Sequence, residues 1–165
     1  MLLWAIFVLY ILKPFSLPKQ ANLNRVHKVS HAHLFRYHVS LSETDHAGVV
    51  HFSHFFSRMH CSYEEFLRKK KISLRLFWEE GIAFPIVHSK VDFSAPLSWE
   101  EEAQLSMHVS HLTDRSFSLH FLFTSLTFQR ECALGKSIHV AIDSHSREKK
   151  SLPPSLCSAL QTLYR

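Results

Sequence analysis

Residues 42–71 read SETDHAGVVHFSHFFSRMHCSYEEFLRKKK, and this stretch decides the fold. Its first seven residues, Ser42 to Gly48, are polar or small and predict a turn. Beyond Gly48 the period becomes helical. Phe52, Phe55, Phe56, Met59, Tyr63, Phe66 and Leu67 lie on one apolar stripe of a helix of about five turns. Ser53, Ser57, Arg58, Ser62, Glu65 and Arg68 take the other face. Lys69, Lys70 and Lys71 close the helix, where cations complement the negative end of the helix dipole. They read as a solvated helix end rather than a phosphate site.

Working outward, Leu34–Leu41 alternates, with Phe35, Tyr37, Val39 and Leu41 on one face of a strand. On the other side, Leu74–Glu80 predicts a short second helix stopped by Gly81. From there the period is two. Val87, Val91 and Phe93 share a strand face, as do Ala103, Leu105, Met107 and Val109, then Phe117, Leu119, Phe121 and Phe123, then Ile138, Val140 and Ile142. Pro153 and Pro154 open a last short helix that runs to Tyr164. One striped helix and about five long antiparallel strands make an α+β domain in which the sheet wraps the helix. Strand, long helix, then a run of strands is the order of a hotdog fold. Such a sheet leaves edges open, so a homodimer or homotetramer is expected.

Composition agrees with one such domain. The chain has 165 residues, 46% of them hydrophobic, which suffices for one core and not for two ordinary domains. Gly48, Gly81 and Gly135 are the only glycines, which excludes Gly-rich phosphate loops and flexible Gly linkers. The net charge is +5, but the basic residues are scattered, without the aromatic-basic stripe of a nucleic-acid binder. Cys61, Cys132 and Cys157 are odd in number and lack a CxxC, so neither a disulfide framework nor a zinc knuckle is encoded. That fits a reducing, cytoplasmic setting. Residues 1–12, MLLWAIFVLYIL, are too short for a spanning helix, which needs about 20 apolar residues. They also lack the charged start and small-residue cleavage site of a secretory signal. An interfacial membrane anchor, a surface packed on a partner subunit, and upstream sequence without a folded role are the remaining readings, and the last is preferred. Residues 13–33 read as a solvated tail, His31 and His33 included. Residues 1–33 are thus expected outside the fold and residues 34–165 form the domain.

Chemistry is best placed where the polar turn meets the helix. A helix N-terminus offers unpaired N–H groups and a partial positive charge. Such donors can polarise a carbonyl and hold the oxyanion formed on attack. A carboxylate just before them, here Asp45, can attack or activate water. The alternative is that Asp45 or Thr44 merely caps the helix. Gly48 permits close approach of backbone or ligand. His46, His51, His54 and His60 cluster around the helix start, but a metal needs converging ligands, usually three or more, and no matching Cys completes such a set, so no metal is expected. His88, in an apolar strand, reads as a buried, satisfied histidine.

The segment Ser42-Glu-Thr-Asp-His-Ala-Gly-Val-Val-His-Phe52 resembles the signature of the 4-hydroxybenzoyl-CoA thioesterase family of hotdog enzymes. Within it, the chain is most similar to the cyanobacterial 1,4-dihydroxy-2-naphthoyl-CoA hydrolases. Tyr63-Glu64 with Leu67, Ile72-Ser-Leu74 with Phe77, Pro85-Ile-Val-His88, and Val91-Asp-Phe93 with Pro96-Leu97 carry that likeness, which runs from about Leu34 to Leu160. The resemblance implies hydrolysis of an aryl-CoA thioester without metal or redox cofactor, feeding phylloquinone synthesis. It places the catalytic carboxylate on Asp45, the carbonyl-polarising amide on Phe52 and the family's glycine on Gly48. Glu64, on the helix, is the runner-up carboxylate, with salt bridging as its alternative. The sequence departs from the pattern at Glu43, where Asp is common, at His46, where Ala or Pro is common, and at His51, where Tyr or Trp is usual. His51 is therefore a secondary candidate. A CoA ester calls for basic groups near the site: Arg115 first, then Lys136 and Lys90.

Overall fold

The computed structural model describes residues 31–164. Strand β1 (His33–His38) leads through a 3-10 turn (Leu41–Glu43) into the long helix α1 (Phe52–Lys69) and the short α2 (Leu74–Glu79). There follow β2 (Ile82–Ala83), β3 (Ile86–Phe93), β4 (Glu102–Leu112), β5 (Ser116–Ser125), β6 (Arg130–Val140), β7 (Ile142–Asp143) and α3 (Pro154–Gln161). Five strands form one antiparallel sheet in the order β1-β4-β5-β6-β3, and β2 pairs with β7 beside it. The sheet packs one face on α1, which is the α+β hotdog arrangement. The apolar run of residues 1–12 lies outside the described residues. Among the described residues no helix is long and apolar enough to cross a membrane.

The core forms where the sequence alternates most strictly. Ala103, Leu105, Met107 and Val109 on β4, and Phe117, Leu119, Phe121 and Phe123 on β5, are closed to solvent. They meet Phe55, Met59, Tyr63, Phe66 and Leu67 of α1. Fully burying side chains of this size contributes roughly 1.5–3 kcal/mol each. Phe52 and Ser62 depart from the expected helix faces, as does Arg58, described below. Phe52 stands at the first position of α1, ahead of the sheet, and is 59% exposed. Ser62, expected on the solvent side, is fully buried.

Other expectations change at the edges of the sheet. β6 begins at Arg130, earlier than the Ile138–Ile142 pattern implied, and its core-facing residues are Ala133, Gly135, Ser137 and His139. Ile138 and Val140 lie only half-buried on the opposite face. The reason is the helix: a Cβ built on Gly135 would meet the Met59 Sδ at 2.7 Å and the Phe121 Cβ at 3.4 Å. β3 is an edge strand and exposed along most of its length, so Val87, Phe93 and His88 are not buried. Leu41 is exposed because β1 ends at His38 and the chain turns there. His33 starts β1, one residue before the expected domain limit, and its ring packs edge-on against Phe66. The last helix ends at Gln161, short of Tyr164.

One ion pair fixes the chain between β1 and α1. Glu43 is 7% exposed, and its carboxylate accepts the Arg58 Nε–H at 2.6 Å and Nη2–H at 2.5 Å. It also accepts the Ser40 N–H at 2.9 Å. The Arg58 guanidinium lies 4.1 Å from the Tyr37 ring centroid. Arg58 was expected on the solvent face; instead it folds back over β1. Burial alone would raise the Glu43 pKa, but the Arg58 bonds, the Ser40 N–H and the Arg58 charge outweigh it and hold the carboxyl below its usual range.

The packing makes stability testable at three positions, Gly135, Arg58 and Glu43. Gly135→Val should cost about 1–3 kcal/mol in urea unfolding, and Gly135→Ala less, because the flexible end of Met59 can give way. A Gly135→Val protein as stable as the parent would contradict this close approach. Arg58→Met should cost roughly 3 kcal/mol by leaving a buried carboxylate unpaired. Because the Glu43 pKa is lowered on folding, its contribution is present above the ordinary carboxylate range and is lost as the pH falls below that range through the lowered pKa. Acid titrations of stability should therefore be shallower in Glu43→Gln than in the parent below about pH 4.5.

Candidate active site

The segment from Thr44 to His51 is a tight main-chain loop. The Asp45 N–H donates to the Val49 carbonyl at 2.9 Å, and the Gly48 N–H donates to the Asp45 carbonyl at 3.0 Å. Thr44 and Val50 form an antiparallel bridge. Gly48 has φ +75, which a side chain would strain, and no atom lies within 4 Å of where its Cβ would be. The glycine thus supplies the turn and leaves open space over it. The Asp45 Oδ1 accepts the Ala47 N–H at 2.8 Å, and the carboxylate is otherwise half-exposed at the surface of the loop.

Neither Asp45 nor Thr44 caps the helix. The Thr44 hydroxyl donates to the Leu41 carbonyl at 2.8 Å. The residue at the N-cap is His51, and no side chain caps α1. The His51 Nδ1 pairs with the Ser53 Oγ at 2.9 Å, and the His51 N–H donates to the Glu43 carbonyl at 2.9 Å. Phe52 is the first helical residue, so its N–H has no intrahelical acceptor. A carboxylate one tight turn away from an uncapped helix start is an arrangement suited to attack on a carbonyl.

Two networks hold this loop. Glu43 and Arg58 fix its start, as described above. Its end is bound by the segment between β3 and β4: the Val50 N–H donates to the Leu97 carbonyl at 2.8 Å, Val49 bridges Ser98, and the Trp99 N–H reaches the Gly48 carbonyl at 3.4 Å. The sequence carries no motif for either network. Arg58 sits at a helical spacing that reads as solvent face, and the β3–β4 segment is short and mixed in character.

Other candidate residues are not brought to this loop within one chain. Glu64 is exposed and pairs with His60 at 3.2 Å, four residues back on α1, which is the salt-bridging alternative. It stands about 18 Å along the helix from Phe52. Arg115 pairs with Asp114 at 3.2 Å in the β4–β5 hairpin. The Leu97–Ser98 segment precedes β4, whose eleven residues span about 33 Å, so the hairpin is at the other end of the sheet. Lys136 and Lys90 face each other across β6 and β3, beside Gly135 and Val91, whose side faces α1, so both lysines point to the outer face. Lys90 pairs with Asp92 at 2.8 Å. His51 and His54 pack edge-on at 6.4 Å between ring centroids. Among the described residues no three His, Cys, Asp or Glu side chains gather in a metal-binding set.

A separate apolar pocket of about 240 Å³ lies under α2, lined by His60, Tyr63, Leu74, Trp78, Phe84 and His139 among others. The Tyr63 hydroxyl is buried without a hydrogen-bond partner. Burial pushes the His139 imidazole down to about 4, so it is neutral, and its Nε2 pairs with the Ser137 Oγ at 3.0 Å. Tyr63 is about 16 Å along α1 from Phe52. A one- or two-ring acyl group whose carbonyl sits at the Phe52 amide of the same chain does not reach this pocket.

The architecture matches known proteins. A model of the thioesterase-like superfamily matches residues 39–160. The chain is 34% identical over 127 residues to a 1,4-dihydroxy-2-naphthoyl-CoA hydrolase of Nostoc punctiforme, covering 75% of this chain and 83% of that one. It is 32% identical to the enzyme of the same name from Crocosphaera subtropica, covering 75% and 92%. The crystal structure of a 1,4-dihydroxy-2-naphthoyl-CoA thioesterase from Synechocystis superposes with a TM-score of 0.75 at 27% identity, covering 79% of this chain and 96% of that one. The dynemicin thioesterase shares the fold at a TM-score of 0.76 and 22% identity. With its five-stranded sheet around one helix and a family match over most of its length, this chain belongs to the thioesterase-like superfamily.

Proposed function

We propose that the protein hydrolyses an aryl-CoA thioester, 1,4-dihydroxy-2-naphthoyl-CoA, to the free naphthoate and CoA, a step toward phylloquinone. The observation that carries the reading is the uncapped start of α1 beside the Asp45 loop. The names of the relatives at 34% and 32% identity supply the acyl group. The thioester carbonyl oxygen would face the Phe52 N–H, whose dipole and positive helix end favour negative charge there. The Asp45 carboxylate would attack the carbonyl carbon or take a proton from an attacking water. The C–S bond then breaks and the thiolate is protonated and leaves as CoA: in the water branch the proton is the one Asp45 took and the naphthoate is formed at once, and in the nucleophilic branch water hydrolyses the Asp45 acyl anhydride to release the naphthoate and restore the carboxylate. Arg115, Lys136 and Lys90 are the candidate cations for the CoA phosphates. No metal or redox cofactor enters this scheme, and the setting is the cytoplasm.

The working unit is a homodimer or a homotetramer of such dimers. β3 supports this: it is an edge strand with Ile86, Val87 and Phe93 exposed, and an apolar open edge pairs readily with a second strand. A second chain is also the means by which cations distant from the Asp45 loop of one protomer could approach that of another.

Asp45→Asn should fold with the parent's melting behaviour and lose at least about a hundredfold in thiol release from 1,4-dihydroxy-2-naphthoyl-CoA. Parent-like thiol release by this variant would remove Asp45 from the mechanism. In a screen of CoA esters the aryl-CoA should turn over fastest, and faster turnover of a fatty acyl-CoA would reject the naphthoate reading. In light-scattering measurements the parent should run as a dimer or larger, and Val87→Lys should shift it toward monomer. A parent monomer at micromolar concentration would contradict the assembly.

A further inference from the structure

A second buried carboxylate lies behind the Asp45 loop. Glu101 is 3% exposed, just before β4, and has no part in the chemistry proposed for Asp45 and Phe52. Its Oε1 accepts the Ser98 N–H at 3.0 Å and the Arg130 Nη2–H at 3.2 Å. Its Oε2 accepts the Ser125 hydroxyl at 2.5 Å. Arg130 also donates to the Pro96 carbonyl at 2.8 Å, and its guanidinium lies 4.9 Å from the Phe128 ring centroid. The pair therefore grips both ends of the short segment Pro96–Ser98 and ties it to β5 and β6.

That segment is what the end of the Asp45 loop leans on. Leu97 holds the Val50 N–H, Ser98 bridges Val49, and Trp99 holds Gly48. Val50 is two residues before Phe52. The main chain of Glu100 and Glu101 closes the circuit just past the end of β1: the Glu101 carbonyl accepts the Val39 N–H at 3.0 Å, and the Glu100 N–H donates to the Val39 carbonyl at 3.1 Å. The strain of Glu100, at φ +65, is carried in this same segment. A buried ion pair is weak evidence for stability as such, since apolar packing of equal volume often serves as well. Its value here is geometric: four directed bonds fix the height of one strand-like segment against the start of α1.

We infer that Glu101, with Arg130, is a positioning residue that sets the Phe52 amide through the Leu97–Trp99 segment. The inference rests on the reading of Asp45 and Phe52 given above. Misplacing a catalytic group by about an ångström can cost up to a hundredfold in rate. A misplaced oxyanion donor weakens the transition state more than the ground state, so the loss should fall on kcat and spare KM.

The test uses the full chain and Glu101→Gln, which keeps the size and one acceptor but removes the charge. Its kcat should fall roughly tenfold or more. Its KM, and its affinity for a carba analogue of the substrate in which a methylene replaces the thioester sulfur, should stay within about twofold. Arg130→Lys, which reaches fewer of the acceptors, should move kcat in the same direction, and it carries the test if Glu101→Gln does not fold. Leu156→Ala, in the buried face of α3, is the control for destabilisation alone: it should lower the melting temperature and keep the parent kcat when assayed folded. A parent-like kcat in both Glu101→Gln and Arg130→Lys overturns the inference, as does an equal loss of kcat in Leu156→Ala. Asp45→Asn run in parallel separates the two levels. If it is inactive while Glu101→Gln is fully active, the positioning role alone fails; if it turns over like the parent, the site reading fails and the positioning role with it.

Discussion

The start of α1 is left without a side-chain cap, and much else in the structure compensates for that. A missing cap costs about 1 kcal/mol and invites the first turn to fray. Here the first turn is held from outside instead. The Glu43 carboxylate holds Arg58, two turns into the helix, while the Glu43 carbonyl takes the N–H of His51, the N-cap residue. On the other side Leu97 takes the Val50 N–H. The helix end is thereby rigid while its outermost amide stays unpaired.

The same economy governs the core. α1 is brought close to the sheet at Gly135, where β6 offers no side chain and Met59 fills the space. That contact fixes the depth of the helix in the sheet, and with it the height of Phe52 and of the Asp45 loop at the sheet's end. It also explains the polar character of the inner face of β6. The Ser137 hydroxyl pairs with the His139 Nε2 there, and His139 stacks on Phe117 with ring centroids 4.6 Å apart. An apolar β-branched pair in those positions would push the helix away.

Much of this was legible in the sequence, and the exceptions have physical causes. The striped helix and the strictly alternating β4 and β5 are dictated by large apolar side chains at fixed periods, and they form where the pattern places them. β6 misleads because its apolar residues, Ile138 and Val140, face outward while the core side needs small ones. The loop Asp45–Gly48 is readable from its turn residues and its family likeness. Glu43 looked like a variant of a motif position; its work is structural, and only the fold brings Arg58 fifteen residues away onto it. Arg115, Lys136 and Lys90 were chosen by charge, and charge alone does not say that a long strand separates one of them from the loop or that the pleat turns the others outward. Glu101 carries no sequence signal, since its partners Ser98, Ser125 and Arg130 lie on three different segments.

In the proposed reaction the Phe52 N–H receives the thioester carbonyl oxygen. Amide chemical shifts read that contact directly. On saturation of the isotope-labelled protein with the carba analogue, whose ketone keeps the carbonyl in place, the Phe52 amide proton should move downfield, and more than the amides at the far end of α1. A Phe52 amide whose resonance stays fixed while the analogue binds would contradict the account.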